Sequence, residues 1–169
     1  MSQQNGFSTT ELIVAAAITG TLAAIGTPVY INQIKSNCQR QAETYASQLI
    51  TQYQAYNDEF GQSAKGWSDL GKVGVIMTSA GPAEATDFSK ITIGTCNYET
   101  SATQDGYTFN ILSTPSAEIN SEPVDPSQPG TDAGLNVAGC INTATGASEI
   151  KRGDGKKDIA ISDLNCSQS

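Results

Sequence analysis

The chain predicts an α+β fold: a long N-terminal α-helix, its first half transmembrane, packed on an antiparallel β-sheet head. Three observations predict it. Residues 12–31 are apolar apart from scattered Thr and carry no charge, long enough for a helix to cross a bilayer. Apolar residues then recur every three or four positions as far as Phe60, the period of a one-sided helix. Beyond residue 90, short runs of alternating residues are separated by turn signals.

The apolar stretch begins a few residues into the chain, and one carboxylate, Glu11, stands at its entrance. Gly20 and Gly26, with Ala15, Ala16, Ala17, Ala23 and Ala24, give it small faces along which helices in lipid approach closely. Pro28 lacks a backbone N–H and is expected to kink or loosen the helix. The stripe that follows is Ile31, Ile34, Cys38, Ala42, Tyr45, Leu49, Tyr53, Tyr56 and Phe60, held for about eight turns. Asn32, Gln33, Lys35, Gln39, Arg40, Glu43, Ser47, Gln48 and Gln52 take the other face. The aromatic row is expected to be core, packed on a sheet. Gly61 is the stop signal. Together residues 8–60 predict one helix on the order of 80 Å long.

Residues 62–89 read as a loop with a short helix near Ser68 to Leu70 and apolar patches at Trp67, Leu70, Val73, Val75, Ile76 and Met77. Residues 90–98 predict a strand with Ile91, Ile93 and Thr95 on one face. Gln104-Asp105-Gly106 is a turn signal, and residues 107–112 alternate through Tyr107, Phe109 and Ile111. These two runs predict an antiparallel hairpin whose apolar face meets the helix stripe. Residues 115–129 form an acidic, proline-rich loop with Glu118, Glu122, Asp125, Pro123, Pro126 and Pro129. Residues 135–141 and 147–150 flank Thr145-Gly146 and predict a second hairpin; residues 158–164 predict a last short strand or turn.

Composition narrows the function. The 169 residues leave room for one modest domain plus a long helix. Charged residues are 15% of the chain, against roughly 25% in an average soluble protein. The formal charge is -8, from 17 acids and 9 bases, which argues against a general nucleic-acid binder. With no histidine, a Ser-His-Asp or Cys-His constellation is impossible, and no G-x-x-x-x-G-K-[ST] loop occurs. The expectation is therefore no enzyme, no cofactor, no metal and no small-molecule substrate. Residues 153–158, GDGKKD, are similar to a calcium loop but lack the spaced oxygen ligands and closing Glu of an EF-hand, so an exposed turn is expected. Lys151, Arg152, Lys156 and Lys157 form a local basic cluster. Contact with DNA or another anionic surface is the weaker reading of it; pairing with acidic neighbours is the plainer one. The four cysteines, Cys38, Cys96, Cys140 and Cys166, form no C-x-x-C pair, which disfavours zinc. An even count behind a membrane segment points to disulfides in an oxidising compartment, and three pairings are open.

A secretory signal peptide would need a basic n-region, yet the first basic residue is Lys35. A plain membrane anchor explains the length but neither Glu11 nor the Gly6-Phe7 boundary. The run Gly6-Phe7-Ser8-Thr9-Thr10-Glu11-Leu12-Ile13 resembles the class III signal of type IV pilins and type II secretion pseudopilins. In that family a prepilin peptidase cuts after a glycine, and the next residue, usually phenylalanine, is methylated. A glutamate stands fifth in the mature chain and a proline near the twenty-second position. Cleavage after Gly6 would make Phe7 first, Glu11 fifth and Pro28 twenty-second. The match is closest over residues 6–31; beyond that the layout agrees. The leader carries no Lys or Arg, where family leaders usually do, and Lys35 and Arg40 lie at the far end of the span, against the positive-inside pattern.

The resemblance implies cleavage between Gly6 and Phe7, N-methylation of Phe7, and assembly roles for Glu11 and Pro28. Glu11 would pair with the α-amino group of Phe7 in a neighbouring subunit. Buried among helices, that pair fixes axial register, because an unpaired charge there is costly. The bland alternative is that Glu11 favours its own helix N-terminus. Many pilins also carry a staple near their C-terminus, which points to Cys140 with Cys166; Cys38, on the stripe, is placed to reach Cys96 in the facing strand.

The expected organisation is 1–6 leader, 7–31 transmembrane assembly helix, 32–60 amphipathic continuation and 61–169 β-rich head. The expected function is a structural subunit of a type IV pilus or related filament, for adhesion, motility or DNA uptake. Its partners would be other pilin subunits, the prepilin peptidase, the pilus or secretion machinery and the membrane. It would sit single-pass in the cytoplasmic membrane with its head outside the cytoplasm, then in an extracellular pilus or periplasmic pseudopilus. Alternatives are a type II secretion pseudopilin acting as a short piston and, from another class, a membrane-anchored or secreted ligand-binding domain, which predicts cleavage near Ala23 or none.

Overall fold

Helix α1 spans Thr9–Phe60, in agreement with the continuous pattern of the sequence. It stops at Gly61, whose φ of 64° is a left-handed value that glycine adopts without a Cβ penalty, and whose N–H bonds Asn57 O at 2.9 Å. The structure is a computed structural model that describes residues 8–116 and 134–166, without the side chains of 22–29 and 31. Gly6, Phe7, the leader and most of the acidic proline-rich loop lie outside the described residues. Pro28 falls inside α1, which is assigned without interruption; its side chain is outside the described set.

The chain divides into two units, Met1–Ser36 and Asn37–Ser169. In the first, the described part is helix from Thr9, and every side chain at 8–21 is exposed. The second holds the remainder of α1, a short helix α2 (Trp67–Leu70) and seven strands: β1 (Met77–Thr78), β2 (Gly81–Pro82), β3 (Ile91–Ile93), β4 (Tyr98–Asp105), β5 (Thr108–Pro115), β6 (Val137–Asn142) and β7 (Ser148–Arg152). A 3-10 turn at Ile161–Asp163 follows. The strands form one antiparallel sheet in the order β2-β1-β3-β4-β5-β6-β7. The class is thus α+β, with an N-terminal helix and an antiparallel sheet.

Two strand expectations are corrected. The predicted strand over 90–98 is broken: β3 ends at Ile93, and Gly94 (φ 75°) and Asn97 (φ 51°) turn the chain back. The partner of β5 is therefore β4, not the first run, with Gly106-Tyr107 between Asp105 and Thr108. β4 escaped the pattern because Thr100, Ser101 and Thr103 mask its alternation, although Tyr98, Thr100 and Ala102 are its buried face. The loop over 62–89 contains not only α2, as expected, but also the β1–β2 hairpin. Residues 158–164 close with the 3-10 turn. The second predicted hairpin forms as β6–β7.

The core is the stripe laid on the sheet. Cys38, Ala42, Leu49, Tyr53 and Tyr56 are buried, joined by Ala46 and Ile50. Ile34 and Phe60, at the ends, are exposed. Tyr53 stacks on Phe109 with ring centroids 4.0 Å apart; Phe88 bridges Phe109 and Trp67 at 5.1 Å each. Such ring pairs contribute about 0.5–1.5 kcal/mol beyond their burial. Trp67 Nε1 donates to Ser89 O at 2.6 Å, and the buried hydroxyls of Thr100 and Ser113 pair at 2.8 Å.

Gln39, expected on the polar face, is 7% exposed. Its Nε2 lies 2.9 Å from Gly153 O, 3.2 Å from Gly134 O and 3.4 Å from Asn136 O. A polar side chain is buried here because the backbone crossing of Gly134 and Gly153 presents carbonyls that need donors. A Cβ at Gly153 would meet Gly134 O at 2.4 Å, so this crossing requires glycine.

Two disulfides pin the head, Cys38–Cys96 and Cys140–Cys166, with Cα–Cα distances of 5.6 and 6.0 Å. The first ties α1 to the β3–β4 turn; the second ties the C-terminal segment to β6. In the chain-entropy account, loops of this size gain about 3–5 kcal/mol per bridge.

Candidate assembly surface

The residues singled out by sequence fall into three places. The first is the start of α1. Ser8 N donates to Glu11 Oε2 at 2.9 Å, and Glu11 N donates to Ser8 Oγ at 3.3 Å. This is a reciprocal capping box, satisfying two N–H groups that a helix start otherwise leaves without partners. Glu11 thus has a local role, and its partner Ser8 is the residue that sequence reasoning missed. The S-x-x-E pattern at 8–11 was the signal.

Behind the cap, Leu12, Ile13, Val14 and Ile18 are each more than half exposed. Thr19 and Thr21 return their hydroxyls to Ala15 O and Ile18 O, at 2.6 and 2.9 Å, so the polar atoms of this stretch are satisfied along the helix. A Cβ added at Gly20 would meet nothing within 4 Å. Among the described residues no helix is long and apolar enough to cross a membrane; the side chains of 22–29 and 31, the second half of the apolar stretch, are outside that set. What this arrangement offers chemically is contact: several apolar side chains in a row, beside one carboxylate.

The second place is the basic cluster. Lys151 Nζ sits 3.0 Å from Glu149 and donates to Asp163 O at 2.7 Å; Arg152 lies 3.6 Å from Glu43 on α1. Half of the cluster is thus engaged by acidic neighbours. In the turn at 153–158, Asp154 Oδ1 accepts the N–H groups of Lys156 and Lys157 at 2.9 and 2.8 Å, and those bonds hold its carboxyl below the usual range. Asp158 Oδ1 accepts Gly134 N at 2.7 Å. Both carboxylates are thus occupied with backbone, and no group of three or more metal-ligating side chains occurs among the described residues.

The third is a cleft of about 210 Å³ between α1 and the 75–77 segment, walled by Tyr45, Leu49, Gln52, Val75, Met77 and Ile93. Among the described residues Gln52 Oε1 is buried without a hydrogen-bond partner, and Tyr53 Oη is buried with only the Ser63 hydroxyl beside it. Burial pushes the Tyr53 phenol up, and the nearby Ser63 hydroxyl offsets part of that.

Comparison with protein-family models, with curated proteins and with solved structures returned no match. The reading of function rests on the sequence pattern and on the surfaces above.

Proposed function

We propose that this chain is a type IV pilin-like subunit, stored in the cytoplasmic membrane by its N-terminal helix and assembled through that helix into a filament. The observation that carries the reading is the placed set Gly6, Phe7, Glu11 and Pro28, framing an uncharged apolar stretch. Two structural features support it. The described apolar side chains after Glu11 are exposed, a state that costs free energy in water and is relieved in lipid or against other helices. The head is an antiparallel sheet packed on the helix and closed by two disulfides, which suits an oxidising compartment.

In this proposal the prepilin peptidase removes residues 1–6 and methylation follows at Phe7. Subunits then leave the membrane as their helices pack together. Glu11, oriented by Ser8 in its own chain, meets the α-amino group of Phe7 in a neighbour. The filament displays the heads outside the cytoplasm.

Mass spectrometry of filaments purified from the source cells is the test. The expected chain begins at methylated Phe7; an intact Met1 terminus counts decisively against the proposal. Glu11→Gln is expected to abolish incorporation into filaments while the subunit still accumulates in the membrane.

A further inference from the structure

β7 is an edge strand: it pairs with β6, and among the described residues no strand lies on its outer side. The opposite edge, β2, is two residues long and contains Pro82, which cannot donate to a ladder. Among the described residues β7 therefore carries the longer row of backbone donors and acceptors with no strand beside it, a template for another strand.

Its sequence, Ser148-Glu149-Ile150-Lys151-Arg152, is complementary to itself. In an antiparallel pair centred on Ile150, Glu149 of each copy faces Lys151 of the other, and the two Ile150 residues meet on the two-fold axis. Shifting the partner by two residues sets Glu149 against Glu149 or Lys151 against Lys151; shifting by one turns the faces over. The charges thus select a single register.

The space on each face fits. Ile150 lies on the α1 side of the sheet, since a Cβ at its partner Gly139 would touch both Ile50 and Ile150. Open clefts of about 570 and 320 Å³ flank Ile150 there, walled by Arg40, Glu43, Ser47 and Thr51 of α1. A second Ile150, which in this register points to the same face, enters that space. On the other face Glu149 and Lys151 already lie 3.0 Å apart, so pairing produces a square of four alternating charges.

We propose that β7 is a self-recognition edge, joining two copies of this chain into one continuous sheet by antiparallel β7–β7 pairing. The contact is isologous and closes on itself. It is distinct from the helix-driven assembly above, which needs a polar, open-ended contact. It links copies that do not share one filament stack.

The test uses the full-length chain in mild detergent, followed by sedimentation velocity. Glu149→Lys and Lys151→Glu each set like charges opposite one another, and each is expected to weaken dimerisation about tenfold or more. An equimolar mixture of the two variants is expected to regain the dimer, because the lysines of one now face the glutamates of the other. A wild-type chain that shows no such dimer, a single variant that pairs as wild type does, or a mixture that fails to recover overturns the proposal. A second variant reports geometry alone: Ile150→Cys is expected to oxidise to a crosslinked dimer, while Ser148→Cys, which faces Arg152, does not. Absence of the Ile150→Cys crosslink, or equal crosslinking of both, also overturns it. Glu11→Gln leaves every one of these readouts unchanged, which separates this contact from assembly through the helix.

Discussion

Gln39 is the sharpest place to test the packing of the head. Its amide group has two protons and three carbonyl neighbours. Gly134 O also accepts Gly155 N, and Asn136 O also accepts Gly153 N, both at 2.9 Å. Gly153 O, at 2.9 Å, is the acceptor that depends most on Gln39. Gln39→Leu keeps the side chain's bulk and removes the donors. One buried carbonyl left without its partner costs about 1–3 kcal/mol, and the added apolar burial returns part of it, so about 1–2 kcal/mol is expected. For a domain of this size that lowers Tm by about 4–8 °C. The assay is thermal unfolding of the full-length chain in detergent by near-ultraviolet circular dichroism. Gln39→Glu sharpens the test. Its ionised carboxylate would face carbonyl oxygens, raising its pKa; the neutral form can still donate one proton. Its damage is therefore expected to be greater at pH 7 than at pH 4. An unchanged Tm for Gln39→Leu, or a Gln39→Glu variant hurt more at pH 4, would refute the argument that this residue is buried to donate.

Three further outcomes follow from the same physics. Ser8→Ala removes one half of the capping box and is expected to cost about 1 kcal/mol at the helix start, seen as faster amide exchange at Glu11, with Ser8→Thr close to wild type. Tyr53→Phe deletes a buried hydroxyl with only the Ser63 hydroxyl beside it while keeping the stack on Phe109, so Tm is expected to hold or rise; a clear fall would show that a Tyr53–Ser63 hydrogen bond supports the head. Acid should weaken the head. The N–H of Asn165 and then the Lys151 side chain hold the Glu149 carboxyl below its ordinary range, and backbone N–H groups do the same for Asp154. A folded pKa below the unfolded one supplies stability above the ordinary carboxylate range, lost as pH falls through the folded value. Tm should thus be level from about pH 7 to 5 and decline below about pH 4.

The long helix was legible because its evidence is local and repeated. An uncharged run, a stripe at helical period from Ile31 to Phe60 and a glycine stop all agree, and no distant residue is needed to read them. The β6–β7 and β4–β5 turns were legible for the same reason, since Gly146 and Gly106 adopt the left-handed φ values such turns use. β4 was not, because a strand of Thr, Ser and Ala buries its small polar side chains only once a neighbour supplies the partner, as Ser113 does for Thr100. Sequence likewise contains Ser8-Thr9-Thr10-Glu11, but the reciprocal bonding of Ser8 and Glu11 depends on how the first helical turn closes.

By itself the sequence determined the class, the long helix and its apolar stripe, and an even set of four cysteines whose pairing it left open. Only the tertiary structure decided that β5 pairs with β4 rather than with the run at 90–98, that Gln39 is inside, and that β7 is left at an edge. Those are matters of which backbone groups meet across tens or a hundred residues of separation. Periodicity along the chain records where a side chain faces, but not which distant carbonyl or strand will be there to receive it.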